Sequence, residues 1–327
     1  MKIGGNMKKI INGLMLFFML FLVGCNKNDN TNVVDKVCKY LSDLNSYSLS
    51  STMKINRADK MVSMNVDVDY LAPSYYKVSF KSNESEQIII KNDSGVFVLT
   101  PSLNKQFKFD SDWPLNSSHA YLLEAICKDI KADSTSVGTK ENGVICIEST
   151  ITHKTNHNLC KMRYTCEEDG LKPKKTVFLN DKGDEIITVD FNTFTKDKDL
   201  GKDYFNEKRY LTNQEEGPND SETTSMDITV GYKVEGNSVV TSSTEDNKTI
   251  MVYSGAKPYT IIIEEATAYS EVVVFDEYSD FEVLEVGLCL VNENSMKYFI
   301  DDYQVTIYSN ALTLDEYLMI AGSITLA

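Results

Sequence analysis

The stretch Val62-Ser63-Met64-Asn65-Val66-Asp67-Val68-Asp69-Tyr70 decides the fold class of this chain. Apolar and polar residues alternate along it, so an extended strand would have one dry face and one wet face. The segment Tyr76-Lys77-Val78-Ser79-Phe80 repeats the pattern after a short break. Because strands spaced this closely are joined by antiparallel connections, we expect a mostly antiparallel sheet with one apolar face.

Turn residues separate further candidate strands on either side of this pair. Before residue 206 the predicted strands are 86–92, 95–100, 104–109, 134–140, 143–152, 158–166, 172–179 and 184–194. Apolar residues at helical spacing predict two amphipathic helices, over 33–46 and near 117–131. A sheet with one apolar face must be covered, and these helices are the available cover.

A polar stretch, 207–225, predicts a linker or long loop. Beyond it, strands are predicted at 248–253, 259–263, 271–275, 282–290, 296–300 and 303–308. The segment Thr313-Leu314-Asp315-Glu316 has the form of a capping box and predicts the start of a helix. This α+β unit, 226–327, is either a separate small domain or an extension of the first sheet.

The first residues have the pattern of a signal peptide. Lys2, Lys8 and Lys9 precede an uncharged run over 10–23, which is shorter than the roughly 20 apolar residues needed to cross a bilayer. The run ends in Leu22-Val23-Gly24-Cys25, which resembles the lipobox of bacterial lipoproteins. That resemblance implies removal of residues 1–24, a diacylglyceryl group with fatty acids such as palmitate on Cys25, and a tether over 25–32. The alternative is an ordinary secretory peptide with a chance cysteine.

The charge and the histidines argue against several functions. With 48 acidic and 33 basic residues, the formal net charge is −15, so counterion release would not drive binding to nucleic acid. Of the three histidines, His119 is expected at the surface or at a helix start, and His153 and His157 in a hairpin. We therefore predict no enzymatic activity, no catalytic residue, no metal and no cofactor.

Six cysteines remain besides Cys25. Most lie in apolar patterns such as Val144-Ile145-Cys146-Ile147, which favours buried free thiols. An even number of cysteines is also compatible with disulfides outside the cytosol, so one or more disulfides are the alternative. Cys160 and Cys166 fall on one predicted strand, about 20 Å apart, and could not pair with each other there.

Several segments resemble one known family. They are Phe97 to Lys105, Asp112 to Ser118 followed by Tyr121-Leu122-Leu123, Gly255 to Thr260, and Tyr308 to Leu312 with Glu316. Together they are similar to the LolA-like lipoproteins of Gram-positive bacteria, a group that includes sporulation-associated lipoproteins. The resemblance implies an open half-barrel with a helical lid over 33–206 and a pocket for acyl chains. One departure is Ala72 before Pro73, where Gram-negative carriers place an arginine that latches the lid.

These observations predict a lipoprotein anchored to the outer face of the cell membrane that binds a lipid or an acylated protein segment. The predicted ligand-binding residues are Val62, Met64, Val66, Val68, Tyr70, Tyr76, Val78, Phe80, Leu122, Leu123 and Ile126. From the pattern alone, a packed core is favoured for the same residues, and the family resemblance makes a packed core and a cavity wall equally expected. The alternative function is a sensory or regulatory protein that uses the same fold to bind a protein partner of the envelope.

Overall fold

The computed structural model describes residues 27–57, 60–82, 86–109, 113–115, 117–153, 156–211, 227–245, 248–265, 280–284, 287–300 and 303–326. The predicted signal peptide, Cys25, the strand expected at 271–275 and most of the predicted linker lie outside these ranges. Within the ranges, no helix combines the length and the apolar character needed to cross a bilayer.

The first sheet has eleven antiparallel strands in the order β6-β5-β4-β3-β2-β1-β11-β10-β9-β8-β7. It is open, because β6 and β7 end the order without pairing to each other. The strands are β1 (Ser46–Arg57), β2 (Lys60–Leu71), β3 (Tyr75–Lys81), β4 (Glu86–Asn92), β5 (Gly95–Thr100), β6 (Lys105–Phe109), β7 (Val137–Glu141), β8 (Val144–Thr150), β9 (Lys161–Glu167), β10 (Pro173–Leu179) and β11 (Glu185–Lys196). The expected α+β class with mostly antiparallel strands is confirmed.

Register explains why β2 dominates the apolar face. Val68 pairs with Leu49 of β1 on one side and with Val78 of β3 on the other. Side chains on alternate residues point to the same face, so matching registers stack the apolar residues of three strands. β1 itself was not predicted, because Ser51 occupies a buried position and interrupts the row of apolar residues.

Two helices, α1 (Lys27–Ser42) and α2 (Leu123–Ala132), pack on each other over the apolar face. The first helix begins inside the stretch expected as a tether and ends before 46. The prediction of a second helix from 117 is wrong over its first turns, since Ser117, Ser118 and His119 precede α2 and are buried. His119 lies between aromatic rings, 6.1 Å from Trp113 and 5.6 Å from Tyr121, and not at the surface as expected.

A second, seven-stranded sheet is separate from the first and has the order β13-β14-β15-β19-β18-β17-β16. β12 pairs with β20 beside it. The elements are β12 (Ile228–Val230), β13 (Ser238–Glu245), β14 (Lys248–Ser254), β15 (Tyr259–Glu265), β16 (Asp280–Leu284), β17 (Gly287–Val291), β18 (Ser295–Ile300), β19 (Tyr303–Tyr308), α3 (Leu314–Ala321) and β20 (Ile324–Leu326). The predicted capping box of Thr313 and Glu316 is confirmed at the start of α3.

The predicted strand over 282–290 is wrong, because β16 and β17 form a hairpin there. Gly287 begins β17 with φ of +135°, a conformation that residues with a side chain rarely adopt. A Cβ at this position would also lie 2.7 Å from Gln87 Oε1. The apolar run on both sides of the turn hid this break, since a strand buried on both faces shows no alternation.

Candidate functional site

The predicted ligand-binding residues come together in one place. β2 and β3 supply those between Val62 and Phe80, and the start of α2 supplies Leu122, Leu123 and Ile126. All of them belong to a single apolar cluster between the first sheet and the two helices. None is more than 8% exposed. The structure therefore places these side chains in a packed core, where their ligand-binding role stays a prediction.

The β16–β17 hairpin completes this core. Phe281, Val283, Leu288 and Leu290 project from one face of the hairpin into the first cluster. Leu284, Cys289 and Val291 project from the other face into a second cluster beneath the second sheet. The ring of Phe281 meets that of Trp113 edge to face at 6.3 Å. One hairpin thus contributes side chains to two cores. It covers part of the apolar face of the first sheet, which we predicted the helices alone to cover.

A side chain from the first sheet holds the hairpin in position. Gln87 Oε1 accepts a hydrogen bond from the backbone N–H of Leu288 at a buried position. Arg57 donates from Nη2 to the carbonyl oxygen of Val283 on the other strand. Both hairpin strands are therefore tied to the first sheet by a polar contact as well as by apolar packing.

One carboxylate lies inside the first core. Glu124 of α2 accepts a hydrogen bond from Tyr47 Oη at 2.8 Å, and the rings of Tyr47, Tyr70 and Tyr76 follow each other at about 5 Å. Burial raises the pKa of Glu124 to about 7, although the Tyr47 hydrogen bond opposes the shift. Its Oε1 is enclosed and has no hydrogen-bond partner among the described residues. The carboxyl group links the second helix to β1.

A second buried carboxyl group lies further along the same helix. Asp129 is 6% exposed, and burial raises its pKa to about 6 against a hydrogen bond with Ser118. The charge of Lys128 favours its ionised form. No group of three His, Cys, Asp or Glu side chains within the described ranges has the spacing to hold a metal ion.

A cavity of about 330 Å³ lies where the two sheets meet. We call it the junction cavity. The end of β1, the β10–β11 turn and the loop before β9 form one side, while β16 and α3 form the other. It is lined by Ile55, Asn56, Arg57, Asn156, Asn158, Asn180, Asp181, Lys182, Ile186, Ile187, Glu282, Asp315, Leu318 and Met319. None of the predicted ligand-binding residues borders it.

Side chains of both positive and negative charge line the junction cavity. Asn158 Nδ2 and Asp315 Oδ2 lie 3.4 Å apart, so the two units meet there. Arg57 uses Nη2 on the hairpin, but its Nε is enclosed and has no acceptor within the described part of the chain.

The six described cysteines are all free thiols, as the sequence analysis favoured. Cys38, Cys127, Cys166 and Cys289 are buried, whereas Cys146 and Cys160 are partly exposed. Cys160 precedes β9, so it does not share a strand with Cys166 as predicted.

Comparison with known proteins decides the family. The family model described as sporulation protein YdcC-like matches residues 7–205. The chain belongs to this YdcC-like sporulation protein family. The sporulation protein YdcC of Bacillus subtilis (strain 168) is 28% identical to it over 338 residues, which cover 97% of this chain and 98% of the relative. The expected resemblance to a sporulation-associated group is thereby confirmed.

Solved structures similar to this YdcC-like chain are distant ones. The complex of MucA and MucB from Pseudomonas aeruginosa matches at 12% identity and a TM-score of 0.34, over 91% of this chain and 98% of that chain. A LolA superfamily protein from Nitrosomonas europaea matches at 12% identity and a TM-score of 0.32, over 55% and 98%. A chain in the structure of the CwlD amidase from Clostridioides difficile in complex with the GerS lipoprotein matches at 16% identity and a TM-score of 0.20, over 54% of this chain and 96% of that chain.

Sequence reasoning missed several site residues of this YdcC-like chain. Glu124 carries a local signal, since it is the acidic residue within the apolar run Leu122-Leu123-Glu124-Ala125-Ile126. The junction cavity carries none, because its residues come from segments far apart in the chain. Two other segments singled out in the sequence do meet: Lys257 Nζ lies 2.5 Å from Glu316 Oε1, and Ser309 Oγ donates to Pro258 O at 2.8 Å.

Proposed function

We propose that this chain is a membrane-anchored, non-enzymatic protein outside the cytoplasm that binds an extended segment of another cell-envelope protein during sporulation. The observation that carries the proposal is the junction cavity, which both units build and which polar side chains line. Its volume of about 330 Å³ is within the usual range of ligand-binding pockets.

The lining matches the chemistry of a peptide main chain. Asn180 uses both its amide nitrogen and its amide oxygen on Asp184, Asn156 Oδ1 accepts from the Asn158 N–H, and Asn158 Nδ2 faces Asp315. Asn156 Nδ2 and Asn158 Oδ1 are the donor and the acceptor that these contacts leave for a ligand. A peptide presents the complementary N–H and C=O groups at every residue. Arg57 is also a lining residue, and its positive charge would attract a peptide carbonyl or carboxylate. Ile186, Leu318 and Met319 form an apolar wall for one side chain of the partner.

The same lining disfavours an acyl chain in this cavity. Arg57, Lys182, Asp181, Glu282 and Asp315 are among its lining residues. A hydrocarbon would remove water from these groups and return no hydrogen bond, which costs free energy.

A second candidate, binding of a lipid or an acylated protein segment at the apolar face of the first sheet, is favoured by the β16–β17 hairpin. The hairpin puts Phe281, Val283, Leu288 and Leu290 against the residues predicted to bind a ligand. An acyl chain could take the place of these side chains if the hairpin moved away. In that case the ligand-binding residues are the eleven predicted from the sequence, from Val62 and Met64 on β2 to Ile126 on α2. In this mechanism the hairpin competes with the ligand for one surface.

Membrane attachment completes the proposal. Cleavage before Cys25 and addition of a diacylglyceryl group would hold the protein on the outer face of the cell membrane, since two acyl chains anchor firmly. α1 begins at Lys27, only two residues after Cys25. The folded part would therefore stay close to the membrane surface.

Site-specific photocrosslinking in sporulating cells tests the first candidate. We would place a photoreactive amino acid at Lys182, an exposed residue at the cavity rim, and at Lys172, an exposed residue in the β9–β10 turn at the opposite end of β10. We expect one discrete adduct from position 182, mapped to one segment of one protein, and none from position 172. Asn158→Ala should weaken binding of a synthetic peptide of that mapped segment to the purified protein. Equal adducts from both positions, or a peptide that does not bind, would reject the proposal.

A fatty-acid probe tests the second candidate. Phe281→Ala removes the side chain that meets Trp113 and should raise the affinity for a fluorescent fatty acid if the hairpin competes with a ligand. Val252→Ala on the second sheet is the control. An unchanged affinity in Phe281→Ala would reject the lipid-binding mechanism.

A further inference from the structure

Two thiols from different helices meet where α1 packs against α2. Cys38 and Cys127 are both buried, at 6% and 5% exposure. Cys127 Sγ also lies 3.5 Å from the carbonyl oxygen of Cys38, across 89 residues of sequence. The pair therefore joins the two helices that cover the first sheet.

A chain of polar groups connects this pair to solvent. Ser42 Oγ lies 3.2 Å from Cys127 Sγ, and Lys131 Nζ donates to Ser42 Oγ at 2.5 Å. Ser42 follows Cys38 by four residues on α1, and Lys131 follows Cys127 by four residues on α2, so each lies one turn further along its own helix. Ser42 and Lys131 are both exposed, so the Cys127 sulfur is one hydroxyl group away from the surface.

The surroundings favour a thiolate at Cys127. Its hydrogen bond with Cys38 lowers the pKa of Cys127 to about 6 against the effect of burial, and Ser42 and Lys131 contribute to the shift. The pKa of Cys38 is raised by the same hydrogen bond and by burial. By contrast, burial raises the pKa of Cys166 to about 12. Cys127 is thus a nucleophile that has a second thiol beside it.

We propose that Cys38 and Cys127 form a redox-active pair that accepts a disulfide from a small or protein disulfide and thereby crosslinks α1 to α2. The Cys127 thiolate attacks one sulfur of the external disulfide, which forms a mixed disulfide and releases one thiolate. Cys38 then loses its proton to solvent and attacks Cys127 Sγ, which expels the second thiolate. One external disulfide is reduced to two thiols, and the two cysteines are oxidised to one disulfide. The inference is independent of the proposed function.

The crosslink has a structural consequence. α1 and α2 lie on the face of the first sheet that carries Val66, Val68 and Val78. A covalent bond between the helices restrains their separation, so the oxidised protein resists opening of this cover more than the reduced protein does. The loop that the bond closes is long, which increases its effect on the unfolded chain.

Oxidised glutathione and the full chain provide the test. We expect the reduced protein to lose two hydrogens in its intact mass, and peptide mapping without reductant to connect Cys38 with Cys127. Cys38→Ser should stop at a single glutathione adduct on Cys127. Cys127→Ser should form the adduct at Cys38 at least about tenfold more slowly, because Cys38 lacks the thiolate. Lys131→Met should slow the reaction of Cys127.

Cys289→Ser is the control, since Cys289 lies in the second core and should not affect the reaction. As a second measurement, oxidation should raise the unfolding temperature of the wild type and of Cys289→Ser, but not of Cys38→Ser. A disulfide between any other pair, adducts that form first at another cysteine, or no reaction of the folded protein under conditions that modify the unfolded chain would each overturn the proposal.

Discussion

Replacing Glu124 by Gln should change how stability depends on pH. Glu124 has a pKa of about 7 in the folded protein and an ordinary value of 4.5. Below about pH 4.5 the carboxyl group is protonated in both states. Between the two values the unfolded chain loses the proton while the folded chain keeps it, so wild-type stability falls as pH rises. Glutamine does not titrate, and Glu124→Gln removes this fall.

The magnitude follows from the difference between the two pKa values. Each pKa unit corresponds to about 1.4 kcal/mol. Above both pKa values, the shift of Glu124 therefore lowers the free energy of unfolding by about 3 kcal/mol. The free energy of unfolding of Glu124→Gln relative to the wild type should therefore increase by up to about 3 kcal/mol between pH 4 and pH 8. The other titrating groups, Asp129 among them, contribute to both proteins and cancel in this difference.

Urea unfolding, monitored through the fluorescence of Trp113, measures this difference. Trp113 is the only tryptophan of the chain, and it is fully buried in the same core as Tyr47 and Tyr76. Glu141→Gln, at an exposed position of β7, is the matched control and should show a constant difference from the wild type. A constant or falling difference for Glu124→Gln between pH 4 and pH 8 would refute the placement of this carboxyl group in the core.

Three further substitutions test the packing of the second unit. Phe281→Ala should lower the free energy of unfolding by about 3–5 kcal/mol in urea, because it leaves a cavity beside Trp113; a loss below about 1 kcal/mol would mean that the hairpin does not pack in the first core. Gly287→Ala should destabilise by more than about 1 kcal/mol in thermal unfolding, since its Cβ would meet Gln87 and its φ is +135°. Thr313→Ala should lower the free energy of unfolding by about 1 kcal/mol, because it removes the capping box at the start of α3. Amide hydrogen exchange should become faster only in the first turn of that helix.

The regular part of the fold could be predicted from the sequence. The alternation of apolar and polar residues over Val62 to Tyr70 predicted β2 and its apolar face. Apolar residues at helical spacing predicted α1 and most of α2. These patterns are local, and a sheet buried on one face must show them. β1 was not predicted, because the alternating pattern requires an apolar residue at the buried position of Ser51. The Ser51 hydroxyl instead donates a hydrogen bond to Val66 O at 2.8 Å.

The site could be predicted only in part, for a physical reason. Burial of Val66 and Leu122 follows from their own segments, whereas the contact of Phe281 with Trp113 depends on how two sheets meet. The pairs Cys38 with Cys127 and Gln87 with Leu288 likewise join residues far apart in sequence. No local sequence pattern specifies such contacts, because they depend on how segments far apart in the chain pack against each other.

Native mass spectrometry of the full protein, extracted from sporulating cells with a mild detergent, tests the central claim most directly. The claim is that an anchored protein holds a segment of another envelope protein at the junction of its two sheets. The predicted spectrum shows a chain that begins at Cys25 with a diacylglyceryl group, in a non-covalent complex with one polypeptide. A chain that retains residues 1–24, or a complex with free lipid in place of the polypeptide, would contradict the account.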